Sequence, residues 1–192
     1  MLEGFATSEG TTNFARKSLA HNENYRKIHD LTLSNVGIGT YLGNSDLETD
    51  IQQKNAIKQS ISHGVNVIDT AINYRAQKSE RTVGKAVSEL IEEGQINRSE
   101  IFISTKNGYV TNDADIQEDF MAYIMREFGK TKIVKEGDIS AQYNCMTVPF
   151  LEDQLARSQK NLGLDCIDLM YLHNAVEGQP QMSRDEFIVK LK

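Results

Sequence analysis

Apolar residues along this chain follow two alternating spacings, one typical of amphipathic helices and one typical of buried strands. Three segments place apolar residues one or two helical turns apart, and a glycine follows each of them: 49–63, 83–91 and 151–162. Shortly after each helical segment comes a run of apolar and β-branched residues, at 65–70, 101–105 and 166–172. An earlier run of this kind lies at 36–41. Strands that alternate with helices at this spacing predict βαβ units, and therefore a parallel sheet of four strands.

The third strand–helix unit carries the clearest local signals. Pro149 stands near the start of its helix and Gly163 just past its end, which is the usual placement of these residues at helix ends. The strand that follows, 166–172, is apolar enough that we expect both of its faces to be covered.

A long insertion separates the third strand from the third helix. It runs over roughly 107–148, about forty residues, far more than an ordinary connection. Apolar residues recur at every fourth position from Ile116 to Phe128 and predict a helix within it. Asp115 is expected to cap this helix, with Glu118 completing a capping box.

The composition is that of an ordinary soluble globular protein: 192 residues, 39% hydrophobic and 25% charged. We expect a polar leader or arm over 1–24 and a single domain over 25–192. The apolar runs are too short for a membrane span, and the N-terminus lacks a secretory signal. A net charge of −6 with interleaved signs argues against a nucleic-acid surface. Cys145 and Cys166 lack metal-ligand spacing, so we expect no metal site and a reducing, cytoplasmic environment.

Two nucleotide-binding patterns fit the sequence poorly. The glycines of segment 37–43, with Asp69 at the end of the next strand, approach a dinucleotide-binding fingerprint. Their spacing is off by one residue and they do not open a helix, so we interpret them as strand and turn residues. Tyr74 and Lys78 match the Y-x-x-x-K pair of short-chain dehydrogenases, but they follow the second strand directly instead of lying far downstream.

Polar residues stand at equivalent places after the predicted strands. Asp69 ends the second strand and Tyr74 follows it, while Lys106 ends the third strand and His173 ends the fourth. In parallel α/β barrels these strand ends converge on the active site. Taken singly, each residue has a structural explanation, such as a turn cap or a solvated side chain. Four chemically matched groups at equivalent positions favour a shared site.

Carbonyl reduction is the chemistry that such a set suits. A tyrosine phenol, whose ordinary pKa is near ~10, needs help to act as a proton donor near neutrality. A lysine ammonium beside it favours the phenolate, and an aspartate holds the lysine in place. A histidine can hydrogen-bond the substrate carbonyl. The hydride must come from a cofactor, because no side chain supplies one.

The segments that carry these residues resemble the aldo-keto reductase family. The resemblance extends over roughly 25–192 and rests on six segments: 36–40 (VGIGT), 67–74 (VIDTAINY), 79–84 (SERTVG), 101–106 (IFISTK), 158–165 (SQKNLGLD) and 167–173 (IDLMYLH). It implies an α/β fold of the (β/α)8 TIM barrel type. It also implies a catalytic tetrad of Asp69, Tyr74, Lys106 and His173, with Tyr74 as the proton donor.

The resemblance further implies a small carbonyl substrate and a nicotinamide cofactor, NADP(H) with NAD as the alternative. The insertion is similar to an enlarged third loop that shapes or covers the substrate site. Where many members have Trp-Pro after the histidine, this chain has Asn174-Ala-Val-Glu. Five residues are expected to bind the cofactor: Gly39, Thr40, Tyr41, Asp69 and Asn174.

The length of the chain limits this expectation. Barrels of this type take about 250 residues, whereas four strands in 192 residues predict only the first half of one. In the family, most contacts to the cofactor's phosphates come from the second half. We therefore expect NAD(P)H-dependent reduction of an aldehyde or ketone by descent, with weak or no activity in this chain. The alternative is a non-catalytic half barrel that acts by self-association through its open sheet edges, or as an interaction protein.

Overall fold

The computed structural model describes residues 1–18 and 20–191. Leu19 of the expected arm and Lys192 of the expected domain lie outside the described residues. Within this part of the chain the strands are β1 Tyr25–Ile28, β2 Leu31–Ser34, β3 Ile38–Gly39, β4 Val67–Asp69, β5 Phe102–Asn107 and β6 Leu169–Leu172. The α-helices are α1 Ser8–Lys17, α2 Leu47–Ser62, α3 Lys78–Glu92, α4 Phe120–Ile124, α5 Val148–Leu162 and α6 Arg184–Leu191.

The central sheet is parallel and has the order β3-β4-β5-β6, so each strand lies beside the next one in sequence. Helix α2 connects the first pair, α3 the second and α5 the third. This successive order is that of the first half of a (β/α)8 barrel, and the predicted fold class is confirmed. Strands β1 and β2 form a separate antiparallel hairpin.

The core lies between the sheet and the three connecting helices. The predicted apolar faces of α2 and α3 are buried, as is the end of α5. The sequence predicts a row of Leu151, Leu155, Ser158 and Leu162 on the buried face of α5. The buried row begins at Phe150 instead, and Leu155 is exposed. Each fully buried aliphatic side chain contributes roughly 1.5–3 kcal/mol relative to exposure. In the described part of the chain, no helix is both long and apolar enough to cross a membrane.

The segment expected to be a polar leader contains helix α1, which packs against the domain. Thr7 caps the helix by accepting a hydrogen bond from the Gly10 amide at 3.0 Å, and Phe14 is part of the main core. Gly10 is required where it stands, since a Cβ there would collide with the Ser99 carbonyl. The buried face of α1 is made largely of glycine, threonine and alanine, so it has no apolar periodicity for sequence analysis to detect.

Strand β6 differs from its prediction. Both faces were expected to be covered, but Tyr171 is 48% exposed and Leu172 is 38% exposed. The reason is topological: β6 is the last strand of the sheet and pairs only with β5. Among the described residues, nothing pairs with its outer edge.

The insertion forms a small core of its own, and its helix begins later than predicted. Asp119, not Asp115, caps α4 by accepting hydrogen bonds from the Met121 and Ala122 amides. Asp115 instead forms ion pairs with two cations of α3, so its carboxylate is engaged elsewhere. A π-helical turn follows α4. The core consists of Val110, Tyr123, Ile124, Phe128 and Cys145 of the insertion, together with Phe150 of α5.

A buried ion pair joins several elements at the amino-terminal end of the sheet. The Arg98 guanidinium donates to the Asp168 carboxylate at 2.8 Å, and both side chains are almost fully buried. The same carboxylate accepts hydrogen bonds from the backbone amides of Ile103, at the start of β5, and of Ala6, before α1. Asp168 therefore holds the N-terminal segment, β5 and the entrance to β6 together.

We expect Asp168→Asn to lower the free energy of unfolding by about 3–5 kcal/mol, because it leaves a buried guanidinium without its counter-ion. Urea unfolding followed by circular dichroism measures this. Glu93→Gln, which removes a more exposed ion pair with Lys58, is the control and should cost less than about 1 kcal/mol. Equal losses in the two variants would contradict the role assigned to Asp168.

Candidate active site

Parallel strand pairing brings the four expected catalytic residues to one end of the sheet. Asp69 is the last residue of β4, and Lys106 is the second-last residue of β5. His173 directly follows β6, and Tyr74 lies in the turn between β4 and α3. The carboxyl ends of parallel strands lie at the same end of the sheet, so all four side chains are located at that end.

Asp69 and Lys106 form the polar centre of the site. The Lys106 ammonium donates to Asp69 Oδ2 at 2.6 Å and to the Thr70 carbonyl oxygen at 2.7 Å. The other oxygen of Asp69, Oδ1, accepts a hydrogen bond from the Ser104 hydroxyl at 2.7 Å. The lysine side chain is mostly buried, whereas the aspartate is 40% exposed. The Lys106 ammonium is thus held by two oxygen atoms at the end of β4.

The Tyr74 ring lies next to this ammonium. Lys106 Nζ is 4.7 Å from the ring centroid. The ring makes edge-to-face contacts with His173, at a centroid distance of 5.6 Å, and with Tyr41, at 5.0 Å. A cation beside an aromatic ring is attracted by its electron-rich face.

A left-handed turn positions Tyr74. The next three residues, Arg75, Ala76 and Gln77, all have positive φ, at 51°, 49° and 75°. Such a conformation is costly for residues other than glycine and persists where surrounding contacts impose it. Here the buried Arg75 guanidinium donates to the Asn44 carbonyl oxygen at 2.6 Å and forms an ion pair with Asp50. The role of Arg75 is not predictable from the sequence, since a single arginine after a strand carries no pattern.

The insertion and the neighbouring loops hold His173. Its backbone amide donates to the Asn107 carbonyl oxygen at 2.7 Å, and its own carbonyl accepts from Asn144 Nδ2 at 3.3 Å. The Tyr109 ring stands edge-to-face against the imidazole at 5.0 Å. The Nδ1 atom lies 3.1 Å from Asn73 Oδ1. None of these four contacts was expected from sequence.

Two causes lower the pKa of His173 below its ordinary value. Burial disfavours the charged imidazolium, and the nearby Lys106 ammonium repels it. The Asp69 carboxylate acts in the opposite direction but is the smaller influence. The imidazole is therefore neutral at neutral pH, which suits a hydrogen-bonding role and leaves Lys106 as the cation of the site.

The residues expected to bind a cofactor differ in their surroundings. Thr40 is fully buried, and its hydroxyl donates to the Thr70 hydroxyl at 2.8 Å, so it supports the site from behind. Tyr41 and Asn174 are exposed. Gly39 is exposed as well, and a Cβ at that position would meet no atom within 4 Å.

In the residues that the structure describes, no group of three or more His, Cys, Asp or Glu side chains is placed to hold a metal ion.

Comparison with known sequences points to one family. The profile described as the aldo/keto reductase family matches residues 35–191. An aldo-keto reductase of Bombyx mori is 28% identical over 155 residues, which is 80% of this chain and 38% of that protein. The NADH-specific methylglyoxal reductase of Escherichia coli (strain K12) is 29% identical over 150 residues, or 75% of this chain and 39% of that protein. The chain thus spans less than half the length of these relatives.

Solved structures share the fold. An aldo-keto reductase of Bacillus halodurans in its holo form superposes with a TM-score of 0.57 at 22% identity, over 87% of this chain and 44% of that one. The structure of a silkworm (Bombyx mori) aldo-keto reductase gives a TM-score of 0.51 at 26% identity, over 87% and 42% of the two chains.

We expect Lys106→Met to raise the pKa of His173. The substitution removes the positive charge that opposes imidazolium formation and leaves the Asp69 carboxylate, which favours it. The NMR titration of the histidine ring protons measures this, and the midpoint for His173 should move to higher pH. Lys58→Met, on the outer surface of α2, is the control and should leave it unchanged. A midpoint that stays in place or falls in Lys106→Met would show that the ammonium does not act on this imidazole.

Proposed function

The chain belongs to the aldo/keto reductase family, and we propose that its site catalyses the NAD(P)H-dependent reduction of an aldehyde or ketone to an alcohol. The observation that carries the proposal is the Lys106 ammonium, held by Asp69 at 2.6 Å and lying 4.7 Å from the Tyr74 ring centroid.

Tyr74 acts as the proton donor in this proposal. When the carbonyl carbon is reduced, its oxygen becomes an alkoxide that needs a proton, and the phenol supplies it. The phenolate that remains is stabilised by the Lys106 ammonium beside the ring. Asp69 and the Thr70 carbonyl hold that ammonium in place. His173 lies beside the Tyr74 ring and orients the substrate.

A reduced nicotinamide cofactor supplies the hydride that no side chain can provide. The residues that would hold it are Gly39, Tyr41, Asp69 and Asn174, with Thr40 supporting the strand end from behind. Two observations support this assignment: the exposed ring of Tyr41 contacts the Tyr74 ring, and the side of Gly39 where a Cβ would stand is open.

We further propose that this chain is a weak catalyst by itself. The Asp69 side chain is 40% exposed and Tyr41 more so, so the described residues shield the reacting groups poorly from water. Water weakens the electrostatic stabilisation on which such a site depends.

An alternative of a different class is a non-catalytic half barrel that acts by self-association. The observation that favours it is the outer edge of β6, where Tyr171 and Leu172 are exposed. An unpaired strand edge with apolar side chains is a template for pairing with a second chain.

The role of Tyr74 is tested by Tyr74→Phe, which removes only the phenol oxygen. We expect NADPH- or NADH-dependent reduction of small aldehydes to fall by about 100-fold or more, the usual contribution of a general acid. Tyr171→Phe, at the β6 edge, is the control and should keep the wild-type rate. If both variants retain equal activity, Tyr74 is not the proton donor.

The strength of cofactor binding is tested by titrating NADPH against the purified chain and following nicotinamide fluorescence. We expect this chain to bind NADPH more weakly than a full-length relative does, and micromolar affinity would refute that expectation. Sedimentation at several protein concentrations, with aldehyde reduction measured alongside, separates the alternatives. A dimer that reduces no aldehyde favours the non-catalytic half barrel. Reduction that appears only with the dimer, and is lost in Tyr74→Phe, favours an enzyme rebuilt from two chains.

A further inference from the structure

The start of the insertion packs against the left-handed turn 75–77 that follows Tyr74. The Ala114 amide donates to the Ala76 carbonyl oxygen at 3.1 Å, which joins the two backbones directly. The Gln77 side-chain amide lies 3.1 Å from the Asn112 carbonyl oxygen. A carbonyl oxygen can only accept, so the nitrogen end of that amide makes the contact. The insertion therefore holds two of the three residues of the turn.

An ion pair anchors this part of the insertion to α3. Asp113 stands between the two contact residues in sequence, and its carboxylate accepts two hydrogen bonds from the Arg81 guanidinium, at 2.8 and 2.6 Å. Paired hydrogen bonds of this kind are stronger and more directional than single ones. The two side chains are only 14% and 30% exposed. The pair therefore fixes segment 112–114 against the first turn of α3.

The turn 75–77 depends on such outside contacts. All three of its residues have positive φ, a conformation that is disfavoured by roughly tenfold for a residue with a Cβ. The contacts of Arg75 with Asn44 and Asp50 hold the first residue of the turn. The insertion holds the second and the third. Without the insertion, Ala76 and Gln77 would be free to leave the left-handed conformation.

We propose that Asp113 is a positioning residue: through Arg81 it docks the insertion on the turn 75–77 and thereby keeps Tyr74 in place. The consequence for catalysis rests on the proposed function. Tyr74 directly precedes the turn, so the place of its ring, 4.7 Å from the Lys106 ammonium, depends on that backbone. The insertion then acts on the proton donor as well as on His173.

The position of Tyr74 can be observed without cofactor or turnover, by 19F NMR of the full chain labelled with fluorotyrosine. The sequence has seven tyrosines, and the Tyr74 signal is assigned by its loss in Tyr74→Phe. In Asp113→Ala we expect this signal to shift or to split, because the ring leaves its contacts with Tyr41 and His173. Asp113→Asn keeps the size of the side chain and should give a smaller change.

Glu118→Ala is the matched control. Glu118 forms an ion pair with Arg126 within the insertion, and the turn 75–77 is not part of that pair. Its removal breaks a carboxylate–guanidinium contact of the same kind and should leave the Tyr74 signal unchanged.

The kinetics of aldehyde reduction separate positioning from binding. In Asp113→Ala we expect kcat to fall by roughly tenfold, the bias against the left-handed conformation at one residue. The KM for the aldehyde should stay within about twofold of the wild type, since the groups that bind substrate are untouched. Glu118→Ala should keep the wild-type kcat.

A glycine in the turn tests the cause. Glycine adopts positive φ without the penalty of a Cβ, so Ala76→Gly should let the turn form without the insertion. The double variant Asp113→Ala/Ala76→Gly should regain most of the wild-type kcat and the wild-type Tyr74 signal. Asp113→Ala/Ala122→Gly, with its glycine at an exposed position of α4, should regain neither. A general loss of stability would not be repaired at one of these positions alone.

Two outcomes would overturn the proposal. One is a wild-type Tyr74 signal in both Asp113→Ala and Asp113→Asn. The other is a loss of kcat that Ala76→Gly restores no better than Ala122→Gly does. If Tyr74→Phe leaves aldehyde reduction intact, the proposed function fails while the 19F spectra still report on the turn, so the two failures are distinguishable.

Discussion

Parallel pairing of β4 with β5 and of β5 with β6 determines where each proposed catalytic group lies. Asp69 is in register with Ser104, and the Lys106 side chain reaches back from two residues further along β5 to the same carboxylate. A strand advances by about 3.3 Å per residue, so a slip of two residues would carry the ammonium roughly 6.6 Å away. A slip of one residue would turn the side chain to the opposite face. The 2.6 Å ion pair therefore exists in only one register.

The amino-terminal and carboxyl-terminal ends of the sheet have different roles. At the amino-terminal end, the buried Arg98–Asp168 pair ties β5 and β6 to the segment before α1. At the carboxyl-terminal end, the Lys106–Asp69 pair is partly exposed and faces the proposed substrate site. In the (β/α)8 architecture, stability resides at the former end and chemistry at the latter. The α1 segment thus supports the end of the sheet opposite the proposed substrate site.

The insertion after β5 serves the site as well as its own core. Its small apolar core gives it a defined shape. That shape brings Asn144 to the carbonyl of His173 and the Tyr109 ring to its imidazole. The turn after β4 brings Tyr74 and Asn73 to the same imidazole. His173 is therefore placed by two segments far apart in sequence, although it belongs to neither.

The sequence by itself determined the sheet, its three connecting helices and the four polar residues at the strand ends. These features depend on local periodicity and on the rule that parallel strands end together, which a single chain reveals. The sequence did not predict α1, whose buried face consists largely of small and polar residues. It also did not predict the exposure of β6, which arises because β6 is the last strand of the sheet. The helix start in the insertion was misplaced because Asp115 binds cations of α3. Only the tertiary structure decided that Arg75 supports the Tyr74 turn and that Asn73 faces His173 across 100 residues of chain. Such contacts join single polar side chains from separate elements, so no spacing along the sequence encodes them.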